Sequence, residues 1–212
     1  MTSKSNSSGE SMPLYSNIVY SIFSSNMLNC IYPVTKPRPV ENGHGMTFNN
    51  DQSHGSAAYK RVVADSSDFD TLPSICQVTY PDPNNLLQFI LTVAPDDGYY
   101  RGGSFRFSFD IGQNYPYEPP KVKCTQKIYH PNIDLEGNVC LNILREDWTA
   151  VLNLTSIIFG IIFLFSSPNP NDPLNKEAAK VLNSNAKTFT TNVRQTMAGG
   201  TIDGVKYHRV LI

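Results

Sequence analysis

The 212 residues carry a formal net charge of −1, and 40% of them are apolar and 11% aromatic. That suits one domain of about 150 residues with a real core plus a substantial extension, and a pI near 6.4 excludes a nucleic-acid footprint at the level of the whole chain. The four cysteines, Cys30, Cys76, Cys124 and Cys140, are scattered with no Cys-x-x-Cys pair; this excludes a disulfide framework or a zinc site and points to a reducing compartment.

Residues 1–55 read as a low-complexity, disordered tail, rich in Ser, Asn, Gly and Pro. Within it Leu14, Ile18, Tyr20, Ile22, Phe23 and Leu28 form an apolar island over residues 14–28. It is either a poorly ordered segment or a docking peptide that orders on a partner. Residues 11–34 carry no charge, but Ser and Asn interrupt them too often for a membrane span.

A folded domain is expected over 56–212. Residues 56–66 are a weak helix candidate. Ile75 to Tyr80 is rich in strand formers, and Leu87, Phe89, Leu91 and Val93 alternate with polar neighbours. Ser104 to Ile111 alternates without a break, and Lys121 to Cys124 makes a fourth short strand. The intervals are short and hold turn residues, so the four strands should form an antiparallel meander. After Cys140 no strand pattern is evident. Asn153 is a cap for an apolar helix reaching Phe165, whose apolar run at 154–165 falls short of the ~20 residues needed to cross a bilayer. Two more helices follow Pro168, Pro170 and Pro173. One presents Leu174, Ala178, Val181 and Leu182, and the other presents Phe189, Val193 and Met197 before Gly199-Gly200. Strands followed by helices make the class α+β.

Cys140 lies in the irregular stretch between sheet and helices, downstream of His130-Pro131-Asn132. A thiol is both nucleophile and leaving group, so this Cys suits covalent acyl transfer; the plain alternative is a buried apolar residue. Only Arg145 is a basic near neighbour in sequence, so the thiol should be no more than moderately activated. Asn132 has a side chain able to donate to an oxyanion, or to bond its own turn. His130 is read as bracing that loop rather than as a base. Asp172, in a Pro-bounded turn, reads locally as a turn residue or an N-cap of the helix expected from Leu174.

Tyr115-Pro-Tyr-Glu-Pro-Pro-Lys-Val122, His130-Pro-Asn132, Gly137-Asn-Val-Cys140-Leu, Trp148 and Pro168-Asn-Pro-Asn-Asp-Pro-Leu174 together resemble the ubiquitin-conjugating enzymes over about residues 56–212. Tyr129 through Trp148, Asp172-Pro-Leu-Asn-Lys-Glu-Ala-Ala179 and the ending at Met197-Ala-Gly-Gly200 are closest to the branch serving the neddylation (Rub) pathway. The resemblance implies the ubiquitin-conjugating fold and a transferase that takes a ubiquitin-like modifier from its activating enzyme as a thioester on Cys140. Asn132 would then stabilise the oxyanion, and Asp172 would orient or deprotonate the acceptor lysine. It further implies a RING-type ligase, cullin substrates, and work in the cytoplasm and nucleus; with no heptad or further interface pattern in the sequence, a monomer is expected.

No metal or cofactor is expected. ATP is spent by the activating enzyme, and no Gly-x-x-x-x-Gly-Lys loop is present. The resemblance places Tyr117, Trp148 and Ala150 on the partner-binding side, with Trp148 read mainly as packing. Ala150 stands where the family usually has Pro, and Ile161-Ile162 make the apolar helix more apolar than its relatives. In the neddylation branch an N-terminal extension docks on the activating enzyme; here the island at 14–28 is the candidate. Three alternatives stay open: ubiquitin as the modifier, a non-catalytic platform, and a Cys–His thiol hydrolase, which would need a His beside Cys140.

Overall fold

The computed structural model describes residues 55–212, so the expectations about the tail and its island at 14–28 lie outside the described residues. The chain enters through helix α1 (Ala57–Ser66), where the Ser56 hydroxyl accepts from the Tyr59 amide at 3.1 Å. A 3₁₀ turn at Phe69–Thr71 leads to four strands: β1 (Cys76–Thr79), β2 (Gln88–Val93), β3 (Phe105–Asp110) and β4 (Lys121–Cys124). They pair in the order β1-β2-β3-β4, each antiparallel to its neighbour. This is the expected meander, with strand ends within two residues of those read from the alternation.

The register follows from the two-residue period. Phe89 lies opposite Phe109, Leu91 opposite Phe107, and Val93 opposite Phe105. All six are buried, while Gln88, Arg106 and Asp110 on the other face are exposed. The Phe89 and Phe109 rings stack with centroids 4.5 Å apart, a geometry worth more than area burial alone.

Helix α2 (Leu154–Ser166) lies against this apolar face. Phe165 stacks on Phe105 at 4.5 Å. Asn153 caps α2 as expected, accepting from the Ser156 amide at 2.9 Å. Ile161 and Ile162 are both buried, so their apolar character serves the core. At Gly160 a Cβ would come within 2.7 Å of the Leu141 side chain; the missing side chain lets the helix pass directly beneath the segment that carries Cys140. Among the described residues no helix is long and apolar enough to cross a membrane.

The chain then forms α3 (Lys176–Ser184) and α4 (Ala186–Met197). Asn185 ends the first and caps the second, its side chain accepting from Thr188 at 3.0 Å. The first of these helices starts later than Leu174, because Asn175 supplies the cap by accepting from Ala178 at 3.0 Å. Asp172 is therefore not an N-cap. A small hairpin, β5 (Thr201–Ile202) and β6 (Val205–Lys206), follows. It was not legible as strand because each arm is two residues long. Beyond it the chain end runs beside the start of β3, where the Ser104 amide donates to Val210 at 2.8 Å.

Truncating one member of the stacked pair tests this core. Phe109→Ala should cost about 3–5 kcal/mol in chemical denaturation, whereas Lys123→Ala on the outer face should stay within about 0.5 kcal/mol.

Candidate active site

Cys140 sits on a segment held from both sides. Its amide donates to the Asn132 carbonyl at 2.8 Å. Upstream, the Asp134 carboxylate accepts from the amides of Glu136 and Asn138 at 3.0 and 2.7 Å, forming a tight turn. Gly137 completes that turn at φ +81°, and its carbonyl accepts from the Cys124 amide at the end of β4 at 2.8 Å. A side chain at Gly137 would put Cβ 2.1 Å from the Cys124 carbonyl oxygen. Gly is needed there for both its φ and this close approach.

Three of the residues singled out by sequence meet here. The Cys140 Sγ–H donates to Asp172 Oδ2 at 3.2 Å. The Asn132 side-chain Nδ2 donates to the Asn169 and Asp172 carbonyls at 2.8 and 3.2 Å, and its Oδ1 accepts from the Asn169 backbone amide at 2.8 Å. Asn132 therefore ties the 167–175 loop against the Cys140 segment. The Pro131 carbonyl adds to this by accepting from Leu174 and Asn175 at 3.0 and 2.9 Å.

Burial pushes the Cys140 thiol above its ordinary range; the Asp172 hydrogen bond adds to this, and Arg145 opposes it. Burial and the Asp172 hydrogen bond both favour the protonated thiol over the thiolate. Cys140 is only 7% exposed.

His130 lies apart from the thiol. It is fully buried, stacked on Tyr100 at 5.0 Å and edge-on to Phe165 at 5.5 Å. Its Nδ1 accepts from the Asn132 amide at 2.9 Å, and its Nε2–H donates to the Leu164 carbonyl at 2.9 Å. Leu164 is in the last turn of α2, where carbonyls lack intrahelical donors. Both ring nitrogens are thus engaged, and none is left to activate Cys140 as a Cys–His hydrolase would require.

Burial lowers the His130 pKa to about 4, so the ring is neutral in the folded state. The unfolded chain, near 6.5, takes up the proton first as pH falls. Stability from this group is full above pH 6.5 and drains as pH drops toward 4. Between pH 7 and 4 the native protein should lose about 3 kcal/mol more stability than His130→Gln, which keeps a donor and an acceptor but cannot titrate. Urea denaturation at several pH values checks this.

Tyr117, Trp148 and Ala150, expected on the partner-binding side, make none of the bonds that hold Cys140. Tyr117 is 83% exposed. Trp148 is half-buried; its Nε1–H donates to the Pro116 carbonyl at 2.8 Å and its ring lies 5.9 Å from Tyr115. The Ala150 carbonyl accepts from Arg61 at 3.0 Å. Arg61 and Asp65, unflagged by the sequence, join Tyr115 in a polar cluster beneath this surface. The i, i+4 spacing of Arg61 and Asp65 on the expected first helix was the available signal. Among the described residues no group of three or more His, Cys, Asp or Glu side chains is placed to hold a metal.

Comparison with known proteins agrees with this architecture. The ubiquitin-conjugating enzyme family matches residues 61–197. The chain is 56% identical over 151 residues to the Nedd8-conjugating enzyme UbcE2M of Drosophila melanogaster, covering 71% of this chain and 83% of that protein. It is 53% identical over 157 residues to the NEDD8-conjugating enzyme UBC12 of Yarrowia lipolytica, covering 74% and 87%. The solved structure of Saccharomyces cerevisiae Ubc12 superposes with a TM-score of 0.69 at 50% identity, covering 75% of this chain and 90% of that one. The four-stranded meander, the segment bearing Cys140 and the helices behind it thus recur across a matched region that spans most of the described residues, and the chain belongs to the ubiquitin-conjugating enzyme family.

Proposed function

We propose that this enzyme accepts a Nedd8-type modifier from its activating enzyme as a thioester on Cys140 and passes it to lysines, with cullins as substrates and a RING-type ligase assisting. The observation that carries the reading is Cys140 Sγ within 3.2 Å of the Asp172 carboxylate, on a segment bonded to Asn132. In the first step the Cys140 sulfur attacks the modifier's C-terminal carbonyl, gives up its proton, and expels the activating enzyme's thiolate. In the second, a lysine amine attacks the new thioester and Cys140 leaves as thiolate. A carboxylate this close to the sulfur is within reach of an amine attacking the adjoining carbon, and so can orient it and take its proton. The Asn132 amide serves the oxyanion by releasing the Asp172 carbonyl, the longer of its two donated bonds at 3.2 Å.

A scarce thiolate fits a carrier. A strongly activated one would be a better nucleophile but would also be exchanged more readily by passing thiols. The ligase contact is assigned to the surface of Tyr117, Trp148 and Ala150, because an exposed aromatic at 83% exposure makes a strong anchor. Cys76, Cys124 and Cys140 are free thiols, in keeping with the cytoplasm and nucleus. Nothing in the two transfer steps calls for a cofactor in this chain.

Charging with ATP and each modifier's own activating enzyme, resolved on non-reducing gels, tests the assignment. A thiol-sensitive adduct with the Nedd8-type modifier, absent in Cys140→Ala, is expected; an adduct with ubiquitin alone would move the modifier assignment and keep the chemistry. No adduct from folded protein would favour a non-catalytic platform. Asp172→Asn should slow discharge to free lysine about 100-fold, and Asn132→Ala about 100- to 1,000-fold. The same Asp172→Asn change removes a group that raises the Cys140 pKa, so alkylation of the uncharged enzyme by iodoacetamide at pH 8 should become faster while discharge becomes slower. Tyr117→Ala should lower ligase-stimulated discharge and leave ligase-free discharge alone.

A further inference from the structure

Three apolar side chains stand out from the surface around one buried cluster. Val63 is 47% exposed, Tyr117 83% and Val151 90%. Val63 and Tyr117 each lie two residues from a member of the cluster, and Val151 lies between two carbonyls that the cluster binds. Asp65, on α1, is 5% exposed and accepts from Arg61 Nε at 2.7 Å, from the Tyr115 hydroxyl, and from the Leu154 amide at the start of α2 at 3.3 Å. With its Nε committed to Asp65, Arg61 has two further nitrogens to offer. Nη1 donates to the Ala150 carbonyl at 3.0 Å and Nη2 to the Leu152 carbonyl at 2.8 Å. These flank Val151, so the exposed valine sits between two anchored carbonyls.

The turn itself is otherwise weakly determined. It closes through one bond, Leu152 amide to Thr149 carbonyl at 3.0 Å. Its second position is Ala150, where Pro would fix φ. Trp148 Nε1 joins this turn to the Tyr117 loop by its bond to Pro116 at 2.8 Å. A planar fork reaching a carboxylate and two carbonyls at once is a geometry that Arg supplies and Lys does not.

We infer that Arg61 is a positioning residue for ligase-dependent transfer: its guanidinium fixes the 149–152 turn and so sets where Val151 stands relative to Tyr117 and Val63. This rests on the ligase reading proposed above and adds to it the device that spaces the anchors. Arg61 itself need touch no partner. It acts on the rigidity of a loop whose ordering would otherwise be spent at binding.

Arg61→Lys keeps the charge and removes the fork. Charging by the activating enzyme and ligase-free discharge to lysine should remain within about twofold of the native enzyme. Ligase-stimulated discharge should fall about 5- to 10-fold, as expected when binding must order a loop. The Leu152 amide should exchange with solvent faster in this variant, a readout that involves no ligase. Adding Ala150→Pro, which fixes the turn by other means, should restore at least half of the stimulation and slow the exchange again.

Unchanged stimulation in Arg61→Lys while Tyr117→Ala and Val151→Asp are impaired would overturn the inference and leave the ligase reading standing. Unchanged stimulation in all three would overturn the ligase reading and the inference with it. Lost stimulation that Ala150→Pro does not relieve, unaltered Leu152 exchange, or lost charging would each make Arg61 a residue of the fold alone, and would also overturn it.

Discussion

The neutral, buried imidazole of His130 is the joint on which the site depends. One nitrogen occupies an orphan carbonyl in the last turn of α2, and the other receives the amide of Asn132. Asn132 then holds the Cys140 amide through its backbone and the Asn169–Asp172 loop through its side chain. Remove the ring and the helix terminus and the Asn132 turn both lose their partner, and the turn is what holds the loop. The energetics are one-sided. A satisfied buried hydrogen bond contributes only about 1 kcal/mol, but an orphaned donor or acceptor costs about 1–3 kcal/mol. Here two would be orphaned together, the Leu164 carbonyl and the Asn132 backbone amide.

The division of labour among the polar residues follows from burial. His130 and Asn132 are almost wholly enclosed, whereas Cys140 retains a little exposure. The residue that must meet two different partners in turn has a path to solvent. The residues that hold its geometry do not. The Asp172 carboxylate bridges the regimes: its backbone carbonyl is bound by Asn132, and its side chain faces the sulfur. A second buried polar network, around Asp65, lies apart from these bonds and underlies the surface proposed above for the ligase. Changes at the two sites should therefore separate binding from chemistry.

Much of this was legible in sequence, for physical reasons. The alternation in Ser104–Ile111 reports a sheet with one wet face, and β3 follows it to within a residue at each end. The capping role of Asn153 is local and came through unchanged. The resemblance placed Cys140, Asn132 and Asp172 together, which spacing alone would not have done. What escaped depends on long-range geometry. The Tyr115–Asp65 bond spans 50 residues and the Arg61–Leu152 bond 91, beyond any local pattern. The β5–β6 hairpin turns through Asp203 at φ +49° and Gly204 at φ +78°, but its arms are too short to show a period. Helix α3 starts after Leu174 because the Asn175 side chain caps it, a local signal that competes with the Pro-bounded turn before it.

The suppressed ionisation of Cys140 has a consequence away from acyl transfer. Peroxides attack thiolates rather than thiols, and oxidation to sulfenic acid tracks thiolate character and access. A sulfur that is nearly enclosed, donating its proton to a carboxylate and raised in pKa by burial, presents little of the reactive form. Its reactivity is reserved for an acyl donor delivered against it, so oxidant levels that consume low-pKa sensor cysteines should leave this carrier in its reduced, chargeable state.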